Sequence, residues 1–309
     1  MPEEVEFKTA TAKLFLKVYD KMDDCYNKSL SWGYKTGFYE LDELTKGLHK
    51  SELTVIAARH SMGKTSFVSN LAVNLAKENT PVLYISYDLD QESIATRLIS
   101  TISEVESSKI KDIRNNVQQY EKVANAMLEL SKLADSGMLQ IEANCYLYYK
   151  DLFDLIRKFK EEQGNGVVIV DYFQLVKLYK QEDSRIIELS SLAAAFKHLA
   201  MEIEMPIVLV SQVNKKCEDR REKRPLLSDL AECDALAQHS DNLIFIYRED
   251  YYRQNWDEDY DEYAEIVNAK GTAEITIAKQ KNGPRGKFEL IYQGNIYKFK
   301  NKIQNNGAF

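Results

Sequence analysis

LTVIAARHSMGKTSF, residues 53–67, decides the fold, because it passes from an apolar strand through a short loop into the start of a helix. The loop, Ala58-Arg59-His60-Ser61-Met62-Gly63-Lys64-Thr65, is a phosphate-binding loop with Ala in place of its first Gly. Gly63 lets backbone N–H groups wrap phosphates, Lys64 is a mobile cation for the β- and γ-phosphates, and Thr65 offers a hydroxyl to magnesium. They stand at a helix N-terminus, whose orphan N–H groups and dipole favour anions. Ser61, Met62 and Ser66 complete the candidate cradle, and the helix is expected from Ser66 to Lys77. The pattern predicts a nucleotide phosphate chain and Mg2+ as ligands.

Outward from this loop the chain alternates. VLYISY (82–87), VVIVDY (167–172), IVLVSQ (207–212), NLIFIY (242–247) and EITIAK (274–279) are short apolar runs, with helical patterns in most of the gaps. Near-continuous apolar strands between helices predict an α/β fold with a mostly parallel central sheet flanked by helices on both faces. KFELIYQGNIYKFKN (287–301) alternates around Gly294-Asn295 and predicts a C-terminal β-hairpin with a tight turn. The stretch 101–165 reads as polar and helix-rich, without assignable chemistry. Residues 1–30 read as one amphipathic helix, since Phe15, Val18, Tyr19, Met22, Cys25 and Tyr26 recur at three- and four-residue spacing. Such a helix packs on its own domain or docks on a neighbouring subunit. The segment 31–48, with Gly33, Gly37 and a short helix closed by Gly47, leads into a core domain over 31–309.

Four further places on the sheet carry candidate chemistry. Asp171 ends an apolar strand, where a carboxylate would hold magnesium and its water. Asp88, just after VLYISY, is placed to orient or deprotonate an attacking water, or is a solvated turn residue. Ser211 and Gln212 end another strand, where an uncharged amide would sense a γ-phosphate. Directly after it come Lys215, Lys216, Arg220, Arg221, Lys223 and Arg224, the densest basic cluster of the chain. Such a patch can neutralise phosphates along a strand without reading bases, or is a solvated loop. Tyr179, Lys180 and Arg185 offer a second contact, weakened by Glu182 and Asp183.

Composition bounds these readings. A hydrophobic share of 44% and a charged share of 29% over 309 residues describe a globular chain with a sizeable core. The formal charge of -7 excludes a globally basic nucleic-acid coat, yet a motor that releases its track needs only a local basic surface. Cys25, Cys145, Cys217 and Cys233 have neither zinc-site nor disulfide-framework spacing, which suits a reducing compartment. No apolar run approaches the roughly 18 residues of a membrane span, and MPEEVEFK is no signal peptide, so a cytoplasmic location is expected.

The segments TGFYELDELTKGL (36–48), AARHSMGKTSF (57–67), VVIVDYFQLV (167–176), VLVSQVNK (208–215), RREKRPLLSDLAE (220–232), YREDYY (247–252) and IAKQKNGPRG (277–286), in this order, resemble the C-terminal ATPase domain of DnaB-family replicative helicases. The resemblance covers about residues 30–300. It implies a RecA-like P-loop fold, a homohexameric ring with ATP and magnesium between subunits, 5′ to 3′ translocation, and single-stranded DNA in the central channel. By position, Lys64, Thr65, Asp171 and Gln212 match the family's nucleotide site, and Arg248 matches an arginine near the base. Residues 1–30 then resemble the linker helix that docks on an adjacent subunit. The family's N-terminal helical domain, associated with primase contact, is not matched, as befits a truncated or a naturally short phage or mobile-element member. A helicase loader or primase is the further partner implied.

Three departures from the family pattern matter. Ser86-Tyr87-Asp88-Leu89 carries Asp where the family has Glu, one methylene longer. Lys279-Gln280-Lys281-Asn282-Gly283-Pro284 carries Lys281 where the family has an arginine acting on the neighbour's nucleotide; lysine supplies charge without the bidentate fork, and Arg285 is a stand-in. Ser228-Asp229-Leu230-Ala231-Glu232-Cys233-Asp234 lacks an arginine and a glycine of the family's DNA-binding loop. The expectation is an ATP-hydrolysing DNA helicase core. The alternative is a helicase-like nucleotide-binding regulator or scaffold with weak or no hydrolysis.

Overall fold

The computed structural model describes residues 9–28, 32–112, 114, 116–143, 147–178, 184–230, 234–254 and 271–302. Within these, α1 (Ala10–Lys28) precedes α2 (Tyr39–Thr45), β1 (Leu53–Ala58), α3 (Lys64–Lys77), β2 (Val82–Ser86), α4 (Gln91–Ser103), α5 (Ser107–Lys111) and α6 (Val117–Asp135). There follow β3 (Leu139–Glu142), α7 (Tyr149–Gln163), β4 (Val167–Asp171), α8 (Arg185–Ile203), β5 (Ile207–Gln212), α9 (Asp234–His239), β6 (Asn242–Tyr247) and α10 (Glu249–Gln254). The chain closes with β7 (Thr272–Gln280), β8 (Gly286–Gln293) and β9 (Lys298–Asn301).

The strands form one sheet in the order β3-β2-β4-β5-β1-β6-β7-β8-β9. Every pairing from β3 to β6 is parallel, and β6-β7, β7-β8 and β8-β9 are antiparallel. Side chains alternate between two cores, as the period of two in a strand requires. Ile56, Tyr84, Ile169 and Val208 face one core with Phe67 and Leu71 of α3. Val55, Leu83, Val168 and Leu209 face the other with Ile156 of α7 and Phe196 of α8. Because both faces are covered, β1, β2 and β4 are buried along their whole length, which is why they read as unbroken apolar runs.

The sequence reading needs two amendments. The stretch 101–165 contains a strand, β3, at the sheet edge, where only Leu139 is fully buried; one buried residue in four leaves no alternation to detect. The C-terminal hairpin forms, but through a 3-10 turn (Gly294–Ile296) with Tyr297 left-handed at φ 53, so Gln293 pairs with Lys298 across a wider turn than Gly294-Asn295 suggests. The hairpin leans on α3: Asn70 Nδ2 donates to Tyr297 O at 2.7 Å, and Phe299 N–H donates to Asn70 Oδ1 at 3.1 Å. Among the described residues no helix is long and apolar enough to cross a membrane.

Candidate nucleotide site

The parallel strands β1, β2, β4 and β5 deliver their C-terminal ends to one edge of the sheet, where an open α/β sheet binds ligands. There, a cleft of ≈ 390 Å³ is lined by His60, Ser61, Gly63, Lys64, Thr65, Ser66, Asp88, Arg97, Asp171, Tyr172, Gln212, Tyr292 and Tyr297. Gly63 caps α3 in the left-handed region at φ 97. A Cβ there would press within 3.1 Å of the Phe299 ring and 3.3 Å of Tyr292, so conformation and space both demand glycine. Ser61 is also left-handed, at φ 60. Met62 contributes backbone only, its side chain being 1% exposed in the core under α3.

Lys64 folds back on its own loop, its ammonium donating to Ala58 O at 3.0 Å and Arg59 O at 2.9 Å. Burial lowers its pKa to about 8, helped by Arg59 and opposed by Asp171 and Asp88. It is a desolvated cation short of an anion. Asp171 is 1% exposed. Burial raises its pKa, against hydrogen bonds from Thr65 and Tyr84 and the charge of Lys64, while Asp88 adds to the rise. The fully buried Tyr84 donates to Asp171 Oδ2 at 3.2 Å and lies 3.4 Å from Ser69 Oγ. Asp88, exposed on the cleft wall, completes the acidic side.

Gln212 reaches back to the phosphate loop: its Nε2 lies 2.6 Å from His60 Nε2 and 2.8 Å from Nδ1. Burial, then Lys64 and Arg59, lower the His60 pKa against Asp88 and Glu218, which favours the neutral ring that accepts from the amide. Ser211 Oγ accepts from Gln174 Nε2 at 2.9 Å.

The basic cluster divides. Arg220 forks onto Asp229 at 2.8 and 2.6 Å. Arg224 pairs with Glu274 at 3.0 Å and Glu222 at 3.0 and 3.1 Å, its guanidinium 4.8 Å above the Tyr247 ring. Lys223 stands 5.1 Å over Tyr252. Lys215, Lys216 and Arg221 extend to solvent. Arg185 pairs with Glu188 at 2.7 Å and donates to Gln174 O. Tyr179, Lys180, Glu182 and Asp183, like Ala231, Glu232 and Cys233, lie outside the described residues.

Lys279, Lys281 and Arg285 do not join the cleft of their own chain. Lys279 Nζ donates to Ala237 O (2.6 Å), Gln238 O (3.1 Å) and Ser240 O (2.5 Å), closing the C-terminal end of α9. Lys281 pairs with Asp241 at 2.9 Å. Asp241 Oδ2 in turn accepts from Leu53 N–H at 2.8 Å. This is the far end of β1, about 17 Å from the phosphate loop at ~3.3 Å per residue. Arg285 is exposed on the β7–β8 turn. Arg248 flanks the cleft, donating to Ser61 O at 3.2 Å and to Asp250 Oδ2 at 3.1 Å, 4.5 Å over the Tyr292 ring.

Sequence reasoning missed His60, Arg97, Tyr172, Tyr292 and Tyr297. Arg97 lies 4.8 Å over the Tyr297 ring across 200 residues of chain, a juxtaposition without a local signature. His60 sits inside the phosphate loop itself and was readable there.

These residues fit a magnesium nucleotide. The cleft volume suits a small ligand, the Lys64 ammonium rests on backbone carbonyls with Asp171 and Asp88 nearby, and Thr65 and Asp171 bring hard oxygens together. Among the described residues no three His, Cys, Asp or Glu side chains cluster to hold a metal. Mg2+ binds one or two protein oxygens and completes its shell with phosphate and water, and the Thr65 hydroxyl and Asp171 carboxylate, hydrogen-bonded to each other, would supply them.

A glycine-bearing loop between strand and helix, a buried strand-end carboxylate beside it, and a sheet parallel through β6 define a RecA-like α/β domain. The family profile described as "DnaB-like helicase C terminal domain" matches residues 33–301, and the chain belongs to that family. It is 36% identical over 272 residues to the replicative DNA helicase DnaB of Pasteurella multocida (strain Pm70), covering 87% of this chain and 55% of that protein. To the replicative DNA helicase DnaB of Buchnera aphidicola subsp. Baizongia pistaciae it is 35% identical over 271 residues, covering 87% and 56%. The chain thus spans about half the length of these relatives. Among solved structures, an isolated ATPase domain superposes with a TM-score of 0.84 at 28% identity, covering 96% of this chain and 100% of that one. A DnaB-like replicative helicase, solved in work on its interactions with primase, gives 0.80 at 27% identity, covering 98% and 69%.

Proposed function

We propose that the chain hydrolyses ATP with magnesium in this cleft and uses the energy to translocate on single-stranded DNA as a ring, unwinding duplex in replication. The observation that carries this reading is the convergence of Lys64, Thr65, Asp88, Asp171 and Gln212 on one cleft from four strand ends. On binding, Lys64 exchanges the carbonyls of Ala58 and Arg59 for the β- and γ-phosphates. The Thr65 hydroxyl and the Asp171 carboxylate hold Mg2+, which when bound neutralises developing phosphate charge. Asp88 orients the attacking water and takes its proton. Lys281 or Arg285, remote from their own cleft, serve the nucleotide of the next copy. DNA grip falls to Lys215, Lys216 and Arg221, since Arg220 and Arg224 are engaged within the chain.

α1 is the linker to that neighbouring copy. Its Phe15, Val18, Tyr19 and Met22 are 69%, 51%, 58% and 53% exposed, an apolar stripe left largely open among the described residues. A primase or helicase loader is the further partner class.

A non-hydrolysing regulator is the second reading, favoured by the shorter Asp88 and by Lys281 in its pair with Asp241. Steady-state ATP hydrolysis with magnesium, with and without single-stranded DNA, separates the two. A motor shows a DNA-stimulated rate that falls about a hundredfold or more in Lys64→Ala. A rate indifferent to Lys64→Ala overturns the site, and a rate that emerges only in Asp88→Glu or Lys281→Arg identifies the regulator.

A further inference from the structure

Two consecutive residues of the phosphate loop are bonded to the segment that carries the exposed basic residues. Arg59 Nε meets Glu218 Oε1 at 2.8 Å, and its NH1 donates to Val213 O at 3.0 Å. This pair is largely buried, the side chains being 12% and 16% exposed. The next residue, His60, holds the Gln212 amide. Glu218 lies on a 3-10 turn (Lys215–Asp219) fixed by the fully buried Cys217. The base of the segment is closed by a bridge between Val213 and Leu230 and by Asn214 N–H donating to Asp229 O at 2.7 Å. Lys215, Lys216 and Arg221 therefore project from a unit whose attachments to the nucleotide cleft include Arg59 and His60.

The same stretch of loop is what Lys64 holds. Its ammonium rests on the carbonyls of Ala58 and Arg59, on either side of the Arg59 side chain. When a phosphate draws Lys64 away, the Arg59 carbonyl loses this donor, while Ala58 O keeps the Val213 N–H at 3.1 Å. A shift of the 59–60 backbone to satisfy that carbonyl would carry the Arg59 and His60 side chains with it, Ala58 serving as the fixed end. Two states of one element, biased by a ligand at one end and read at the other, are the physical requirement for coupling between sites.

We propose that Arg59 and His60 are positioning residues that transmit occupancy of the phosphate loop to the segment 212–224, through Glu218 and Val213 on one arm and Gln212 on the other. This rests on the cleft being a nucleotide site, but on neither hydrolysis nor DNA binding.

The test is limited trypsin digestion of the full chain, with and without a non-hydrolysable ATP analogue plus magnesium. Cleavage at Lys215, Lys216 and Arg221 is followed by mass spectrometry, and analogue affinity by calorimetry. In the unmodified chain the analogue is expected to change the cleavage rate by about fivefold or more, the lower range of allosteric coupling. Glu218→Gln should bring that ratio near one with analogue affinity kept within about twofold. Arg59→Met, compared at equal analogue saturation, should also bring the ratio near one and Arg59→Lys restore part of it, which a purely structural role would not produce; urea midpoints confirm that each variant is folded. An undiminished ratio in Glu218→Gln and Arg59→Met overturns the link while leaving the nucleotide site intact, as does a ratio of one in the unmodified chain with analogue bound. Failure of the analogue to bind overturns the nucleotide site and the link together.

Discussion

Lys64 shows how one buried cation sets a pH dependence. In the free chain its pKa is lowered to about 8, burial outweighing the attraction of Asp171 and Asp88. A bound triphosphate supplies the missing negative charge and restores the ammonium. Below pH 8 both states carry the proton, and nucleotide affinity should be flat. Above it the free amine is neutral, binding must take up a proton, and affinity should fall by up to about tenfold per pH unit until the bound-state pKa is reached. The same lowered pKa acts oppositely on the fold: between about 8 and 10.5 the unfolded chain holds a proton that the folded chain has shed, so this group's contribution to stability rises with pH. Calorimetric titration at pH 7, 8 and 9, in buffers of different ionisation heat, measures both affinity and proton uptake. Equal affinity at all three, without uptake, would show that Lys64 keeps its proton in the free chain.

Among the elements, α8 is the strut on which the sheet's second face rests. Phe196 is fully buried in it, its ring 5.0 Å from Phe153 of α7 and 6.1 Å from Phe173. Phe196→Ala should cost about 3–5 kcal/mol, because the ring is fixed from both sides and the cavity cannot collapse. Urea unfolding should show this as a lower midpoint with an unchanged slope. A loss below 1 kcal/mol would mean that α7 and α8 repack freely. Elements of this kind are what the sequence reveals. Strands buried on both faces, β1, β2 and β4 to β6, read as apolar runs, and the phosphate loop as a local string of residue types. β3 stays hidden because an edge strand of four residues needs no pattern, and the hairpin's broader turn because Tyr297 adopts a left-handed conformation that its residue type does not announce. The candidate site was legible where the pattern is local, as at Lys64, Thr65 and Asp171, which line one cleft. The burden on Arg220 and Arg224 was not legible, because their partners Asp229 and Glu274 lie 9 and 50 residues away and only the fold brings them near.

For the whole molecule, the position of Lys281 is the geometric argument for assembly. It stands about 17 Å from its own phosphate loop, at the opposite end of β1, so any part it plays in hydrolysis is played on another copy. Its release from Asp241 is cheap. Lys281 is 44% exposed, and Asp241 keeps a second partner, Lys197, at 2.6 Å. Burial works against the Asp241 charge, but Lys197, the Leu53 N–H and Lys281 together hold its carboxyl below the ordinary range, and two of these three stay in place when Lys281 leaves. In the proposed ring, a head-to-tail interface would place this corner of one copy against the cleft of the next. Two variants, each inactive alone, then complement each other. Lys64→Ala destroys its own cleft but still presents Lys281 and Arg285, whereas the double variant Lys281→Ala, Arg285→Ala keeps its cleft and loses the groups it lends. In an equimolar mixture that assembles at random, about one interface in four joins an intact cleft to an intact donor. ATP hydrolysis should return to roughly that fraction of the unmodified rate if clefts fire independently, and to less if they fire in sequence. A mixture no more active than its components, with mixed assembly verified by native mass spectrometry, would remove Lys281 and Arg285 from the reaction and leave hydrolysis to the residues of a single chain.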